Sequence, residues 1–278
     1  MRTRISERNH FPAFSPYTEY KKLNILFCDK KAYRKEEKCY VYKNYSLKDL
    51  VECNFLQWHL RGTFTSLDEM LCSLQISEND FSDNTPKDVY LDYIQFLLNA
   101  LEFLNITIGY SFFEKQGKII YNTIRDNCFC LLEKLDAEAK ALGVELCVVY
   151  KNDVAAAVSI QQPDLAPSVV EYLKIDNRDD LSRKGEILCT LAKLLEPHEN
   201  KLIKKGFKSL CSDTTFLLNK AGIRHSLCQN KKIDSRFLKM DDSERIKWYD
   251  RAFKAFLACM AVLPYIDFKD EITDLQHN

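Results

Sequence analysis

The stretch Phe216-Leu217-Leu218-Asn219-Lys220-Ala221-Gly222-Ile223-Arg224-His225 decides how this chain is read. Leading into it, Ile203, Phe207, Leu210, Thr214, Leu217 and Ala221 recur at intervals of four and three, the repeat of one helix face. Gly222 stands where the pattern stops. Glycine is favoured just past a helix end because it takes the left-handed backbone conformation without strain. Gly206 lies inside the pattern; glycine there costs roughly 1 kcal/mol against alanine, so a kink is expected. Arg224 and His225 then emerge from a fixed helix end. A guanidinium presents a planar fork to a charged oxygen pair, and an imidazole moves a proton near neutral pH. Together they suit work on phosphate.

The helical period continues on both sides. Upstream, Asp179-Asp180 opens a helix with Ile187, Leu188, Leu191, Leu194 and Leu195 inward, and Pro197 is expected to stop it. Segments 154–160 and 167–174 read as short helices, and Glu145 to Tyr150 is too continuously apolar for an amphipathic helix and reads as a strand. Ile120, Ile124, Cys128, Leu131, Leu135 and Leu142 mark a longer helix ended by Gly143. Before it, Thr85-Pro86 starts a helix whose face is Val89, Tyr93, Phe96, Leu97, Leu101 and Leu104. Short helices follow Ser46 and Ser66, the second with Leu67, Met70, Leu71 and Leu74 inward. Residues 1–45 read as irregular: Pro12 and Pro16 argue against a helix, and Lys38 to Tyr42 reads as a short strand. Downstream, residues 226–239 form a polar loop. Asp241 then opens a terminal helix with Glu244 three residues on, as in a capping box, and Pro264 ends or kinks it.

These readings give a mainly α fold, a helical bundle with at most two or three short strands. The polar segment Ser77 to Lys87 is the expected boundary or long turn. It divides an N-terminal helical segment, 1–84, from a helical domain, 85–278. Composition agrees: 278 residues, 46% hydrophobic, with only 7 glycines and 7 prolines, suit helices better than a many-turned β fold. No stretch reaches the roughly 18 uninterrupted apolar residues of a spanning helix. The basic start, Met1 to Arg8, has no apolar run behind it, so no secretory signal is expected. Eleven cysteines without framework spacing suit reduced thiols in a cytoplasmic protein.

The formal net charge is zero, but it is unevenly spread. Between Lys201 and Lys239 ten cations face two carboxylates, a net of +8; between Ser66 and Leu104 eight carboxylates face one lysine, a net of −7. A basic segment around a phosphate site is what an RNA enzyme needs, and Lys220, Lys231, Lys232 and Arg236 are its candidate RNA-binding residues. The plainer reading makes Lys204, Lys205 and Lys208 the solvated face of an amphipathic helix. Likewise Arg224 has a plain role, capping the carbonyls of the preceding helix. Trp58-His59 and Trp248-Tyr249 read as packing residues. Cys128 and Cys130 diverge on a helix, so no metal site is expected. No glycine-rich phosphate loop, G-x-S-x-G or His-Glu-x-x-His motif is present, and no cofactor is implied.

One resemblance gathers these pieces. Phe216 to Asn219, then Ile223-Arg224-His225, a polar loop, and a helix opening Ser243-Glu244-Arg245-Ile246-Lys247-Trp248-Tyr249-Asp250 resemble bacterial abortive-infection proteins of the HEPN superfamily. The similarity covers about the last 130 residues and includes Ile175-Asp176 and the helix after Asp180. The resemblance implies an α-helical, metal-independent ribonuclease, usually a homodimer, whose motif is an arginine, a polar neighbour and a histidine four to six residues after the arginine. Arg224 matches the arginine and His225 the polar neighbour. Cys228, Gln229 and Asn230 occupy the last positions, with Asn230 at the motif end. Two functions follow as expectations. One is an antiphage or toxin-type effector that cleaves RNA through Arg224 and His225. The other is a non-catalytic helical module that binds a protein partner in a defence system. Neither involves a membrane.

Overall fold

The sequence pattern that ends at Ala221 does build a helix, and the rest of the chain is mainly α as well. The computed structural model describes residues 14–29, 31–33, 44–113, 115–143, 145–221 and 235–277. The chain folds as two compact units, Met1–Val148 and Val149–Asn278. Segment 77–87, read from sequence as a boundary or long turn, therefore lies inside the first unit. It is polar because it is a sequence of tight turns, with Asp80 accepting from the Ser77 N–H and Thr85 from the Ser82 N–H. Its one large apolar residue, Phe81, stacks on Tyr20 at 3.7 Å and buries itself beside Tyr93.

The first unit contains α1 (Pro16–Asn24), α2 (Leu47–Asn54), α3 (Leu67–Ser73), α4 (Lys87–Thr107) and α5 (Lys115–Lys134). Two short strands, β1 (Lys31–Tyr33) and β2 (Asn44–Ser46), pair antiparallel with Ala32 opposite Tyr45. Pro16 does not exclude a helix, as the sequence reading had it. It sits in the first turn of α1, where a missing N–H costs nothing, and Ser15 accepts from the Thr18 N–H. The expected strand at 38–42 lies outside the described residues. Ser46 caps α2 in a capping box with Asp49, and Ser66 caps α3. Leu74 is exposed rather than inward. Trp58 is buried and stacks on Phe103 of α4 at 5.3 Å; its indole N–H has no partner among the described residues.

One long helix expected from periodicity is two elements. α5 stops at Lys134, Asp136 takes a positive φ of 52°, and the chain returns as β3 (Ala137–Leu142). Gly143, at φ 66°, starts the turn into β4 (Glu145–Tyr150), which pairs with β3. Ala, Glu and Lys favour helices, but pairing with the expected β4 strand overrides that local preference. Asn99 of α4 fixes β4 by donating to the Leu146 carbonyl at 2.7 Å and accepting from the Leu146 N–H at 2.9 Å.

The second unit holds α6 (Asp153–Gln161), α7 (Ala166–Leu173), α8 (Leu181–Lys204), α9 (Lys208–Lys220), the short α10 (Ser235–Leu238), α11 (Asp242–Ala261) and α12 (Leu263–His277). Helices α8, α9 and α11 pack together around Leu188, Leu191, Leu195, Leu218, Phe253 and Phe256. Asp180 caps α8 through the Arg183 N–H and Asp241 caps α11 through the Glu244 N–H, each at 2.8 Å. Pro197 does not stop α8: the helix runs on to Lys204. Gly206 does more than kink the next segment. Its φ of 98° separates α8 from α9 completely. At Gly185, an added Cβ would stand 3.3 Å from the ring of Tyr249, so the missing side chain lets α11 lie close against α8. Trp248, half-buried, carries Arg251 over its ring at 4.3 Å. Among the described residues no helix is long and apolar enough to cross a membrane.

Candidate functional site

α9 ends at Lys220 with Ala221 as its cap, where the periodicity placed the helix end. Lys220 and Arg236 are exposed, Arg236 within α10. Arg224, His225, Asn230, Lys231 and Lys232 lie outside the described residues. Of the flanking lysines, Lys204 and Lys208 are exposed, and Lys201 pairs with Asp267 of α12. Cys128 is buried and Cys130 exposed, so their thiols face apart as their spacing on a helix requires.

The described polar chemistry of the second unit converges on one cavity. The end of β4, the turn after it, the link between α7 and α8, and helices α7, α8 and α11 surround a cavity of about 390 Å³. Tyr150 closes β4, and Lys151 and Asn152 form the turn into α6. The Asn152 side chain accepts from the Ala155 N–H at 2.9 Å, which sets that turn as the cap of α6. Lys174 follows α7, and a bridge between Val149 and Lys174 holds the end of β4 against it. Arg178 comes from the link into α8, where its guanidinium donates to the Ile175 carbonyl at 3.1 Å. Lys254 lies four residues after Asp250 on α11, one turn along the same face.

The floor is a buried polar cluster. Lys184 is only 5% exposed, and its ammonium donates to Asp250 Oδ1 at 2.6 Å. The Tyr172 hydroxyl donates to the same oxygen at 2.9 Å. The Lys184 ammonium also sits 4.8 Å from the centre of the Tyr172 ring, which itself stacks on Phe253 at 4.0 Å. Burial raises the Tyr172 phenol well above its ordinary pKa, and the Asp250 carboxylate adds to this. The phenol therefore stays neutral and remains a donor. A buried ammonium demands a partner, since an unpaired charge in a low-dielectric site is costly. Asp250 supplies it, and its side chain is still 41% exposed toward solvent.

Above this paired floor the rim is cationic. The lining carries Lys151, Lys174, Arg178, Lys184 and Lys254 against the single carboxylate of Asp250, a net of +4. Carboxylates lie beside several of these: Lys184 bonds Asp250 at 2.6 Å, Lys174 bonds Glu171 at 3.0 Å, and Arg178 lies 3.4 Å from the exposed Asp179. Burial pulls the Glu171 carboxyl up, but hydrogen bonds with Lys174 and Arg183 outweigh it and hold the group below its ordinary range. Cations converging on a concave site with aromatic residues in its lining suit an anionic ligand.

Sequence reading missed this pocket because its residues come from positions 150 to 254 and share no spacing. Only Asp250 and Lys254, four apart on one helix, carry a local signal. Compared with protein-family models, with characterised proteins and with solved structures, the chain matches none.

Proposed function

We propose that this chain is an RNA-directed effector of HEPN type, in which the second unit gathers RNA phosphates and Arg224 with His225 cleaves the chain without a metal. The observation that carries the reading is the cationic pocket, with five positive side chains and one carboxylate around one cavity. It lies in the unit Val149–Asn278, which has the same extent as the resemblance. Lys220 and Arg236 of the same unit are both exposed cations that a polyanion could meet. The remaining candidate residues, Lys231 and Lys232, lie outside the described residues.

The chemistry uses RNA's own nucleophile. His225 takes the proton of a 2′-hydroxyl as that oxygen attacks phosphorus, and the bond to the 5′-oxygen breaks. The leaving oxygen receives the proton that His225 took, and a 2′,3′-cyclic phosphate remains on the upstream product. General acid–base catalysis of this kind is worth about 10²–10⁴-fold. Arg224 stabilises the negative charge that grows on the phosphoryl oxygens. The biological setting that fits is a cytoplasmic antiphage or toxin-type effector, acting as a homodimer.

A second reading has its own observation. Tyr265, Phe268, Ile272 and Leu275 of α12 are exposed at spacings of three, four and three. That is the seam of a two-stranded coil, and it favours a non-catalytic scaffold that pairs with a second copy. Incubation with labelled RNA separates the two. The effector reading expects cleavage that persists in excess chelator, leaves cyclic phosphate ends, spares DNA, and vanishes in Arg224→Ala and in His225→Ala. Intact RNA with the wild-type protein, alone and with infected-cell extract as trigger, would leave only the scaffold.

A further inference from the structure

The cavity is larger than a bare phosphate requires, and its chemistry is divided. Its floor is neutral overall, because the Lys184 ammonium and the neutral Tyr172 hydroxyl both donate to Asp250 Oδ1, at 2.6 and 2.9 Å. Its rim is cationic through Lys151, Lys174, Arg178 and Lys254, which come from three separate segments of the unit. Its lining also includes aromatic residues, the half-buried Tyr150 and the stacked Tyr172 and Phe253. Its volume, about 390 Å³, falls in the range of sites for small organic ligands, roughly 300–1,000 Å³.

We propose that this cavity is a site for one nucleoside phosphate, with the phosphate among the rim cations and the base against Tyr150. A phosphate monoester carries about −1.5 to −2 charge at neutral pH and three acceptor oxygens, and so rewards cations converging from several directions. One phosphate with its own base fills a cavity of this size, whereas a longer run of RNA backbone also needs cations beyond it. A nucleobase supplies the flat apolar face that an aromatic side chain takes and an inorganic ion lacks. An acidic peptide would meet the rim but would leave the aromatic residues without a planar partner. The paired floor adds selectivity: Asp250 accepts from Lys184 and Tyr172, and its outward side offers an acceptor to a base amine or a ribose hydroxyl. The proposal rests on reading this pocket as a phosphate site and does not require RNA cleavage.

The nucleotide has two sources, free in solution or at the end of an RNA. Calorimetric titration of the full chain distinguishes them. The probes are the four nucleoside 5′-monophosphates, adenosine, inorganic phosphate, and an RNA hexamer with and without a 5′-phosphate. At least one monophosphate should bind, with adenosine and inorganic phosphate each about tenfold weaker or worse. Lys254→Glu and Lys151→Glu should each weaken it at least about tenfold, with unchanged circular dichroism. Tyr150→Ala should weaken the nucleotide and leave the weak phosphate binding alone. A hexamer that binds only when 5′-phosphorylated assigns the site to RNA ends; a hexamer that never competes with the monophosphate assigns it to free nucleotide. No binding of any monophosphate, or binding indifferent to both charge reversals, overturns the proposal. RNA cleavage without nucleotide binding would sink this inference alone, and nucleotide binding without cleavage would sink the ribonuclease reading alone.

Discussion

Lys184 and Asp250 stand 66 residues apart in the chain and meet at 2.6 Å. Nothing in the spacing announces the pair. Asp180 and Asp241 are different, because each caps the helix that begins one residue later, and a cap is a local pattern that sequence displays. Glu171 shows how the pocket's edge depends on pH. Burial raises its carboxyl, hydrogen bonds with Lys174 and Arg183 outweigh that, and the net pKa lies below the ordinary 4.5. A carboxyl lowered on folding contributes stability that is complete above its unfolded pKa and is lost as pH falls through the lowered value. Glu171→Gln should therefore melt at a lower temperature than the wild type at pH 7, and the gap should close below about pH 4.5. Melting curves from pH 7 to 2.5 check this; a gap of constant size would count against it.

At the level of elements, existence was easier to read than extent. The helices at Ser46, Ser66, Asp180 and Asp241 were legible because cap and apolar face agree. The helix through 120–142 was misread because Ala137, Glu138, Ala139 and Lys140 carry helical propensity while their pairing with β4 is non-local. Pro197 misled in the other direction. It lacks the N–H that would bond the carbonyl four residues back, yet α8 continues through it and the residue is exposed. Proline in a helix interior costs about 3 kcal/mol against alanine, partly offset by about 1 kcal/mol of lost freedom in the unfolded chain. Pro197→Ala should stabilise the protein by roughly 1–2 kcal/mol and raise the melting temperature by several degrees. A lower melting temperature would mean that Pro197 stabilises α8 despite its missing N–H.

For the whole molecule, α12 sets the expectation. Its first turns are anchored, with Leu263 and Ile266 buried and Lys269 donating to the Lys205 carbonyl at 3.0 Å. Tyr265 meets the Phe207 ring edge-on at 6.3 Å, and Phe268, Ile272 and Leu275 continue the seam exposed. Two heptads are short for a coil, so pairing should be weak, with dimers at tens of micromolar rather than nanomolar. Sedimentation velocity at several concentrations should show dimer for the wild type and monomer for the double variant Phe268→Asp, Leu275→Asp. Wild-type monomer at all concentrations would remove α12 as the pairing element. The mainly α class was legible from composition and periodicity. The cationic pocket was not, because it exists only after α7, α8 and α11 have packed.

The two tryptophans fall one to each compact unit, Trp58 in the first and Trp248 in the second. Their surroundings differ: Trp58 is sealed among Phe55, Phe96 and Phe103, while Trp248 is half-buried under a guanidinium. The protein thus carries two native fluorophores of different colour, blue for the shielded indole and redder for the wetter one. Emission followed during denaturation reports separately on the halves of the chain, with no label attached, and Trp58→Phe leaves a lone lamp on the half that holds the pocket.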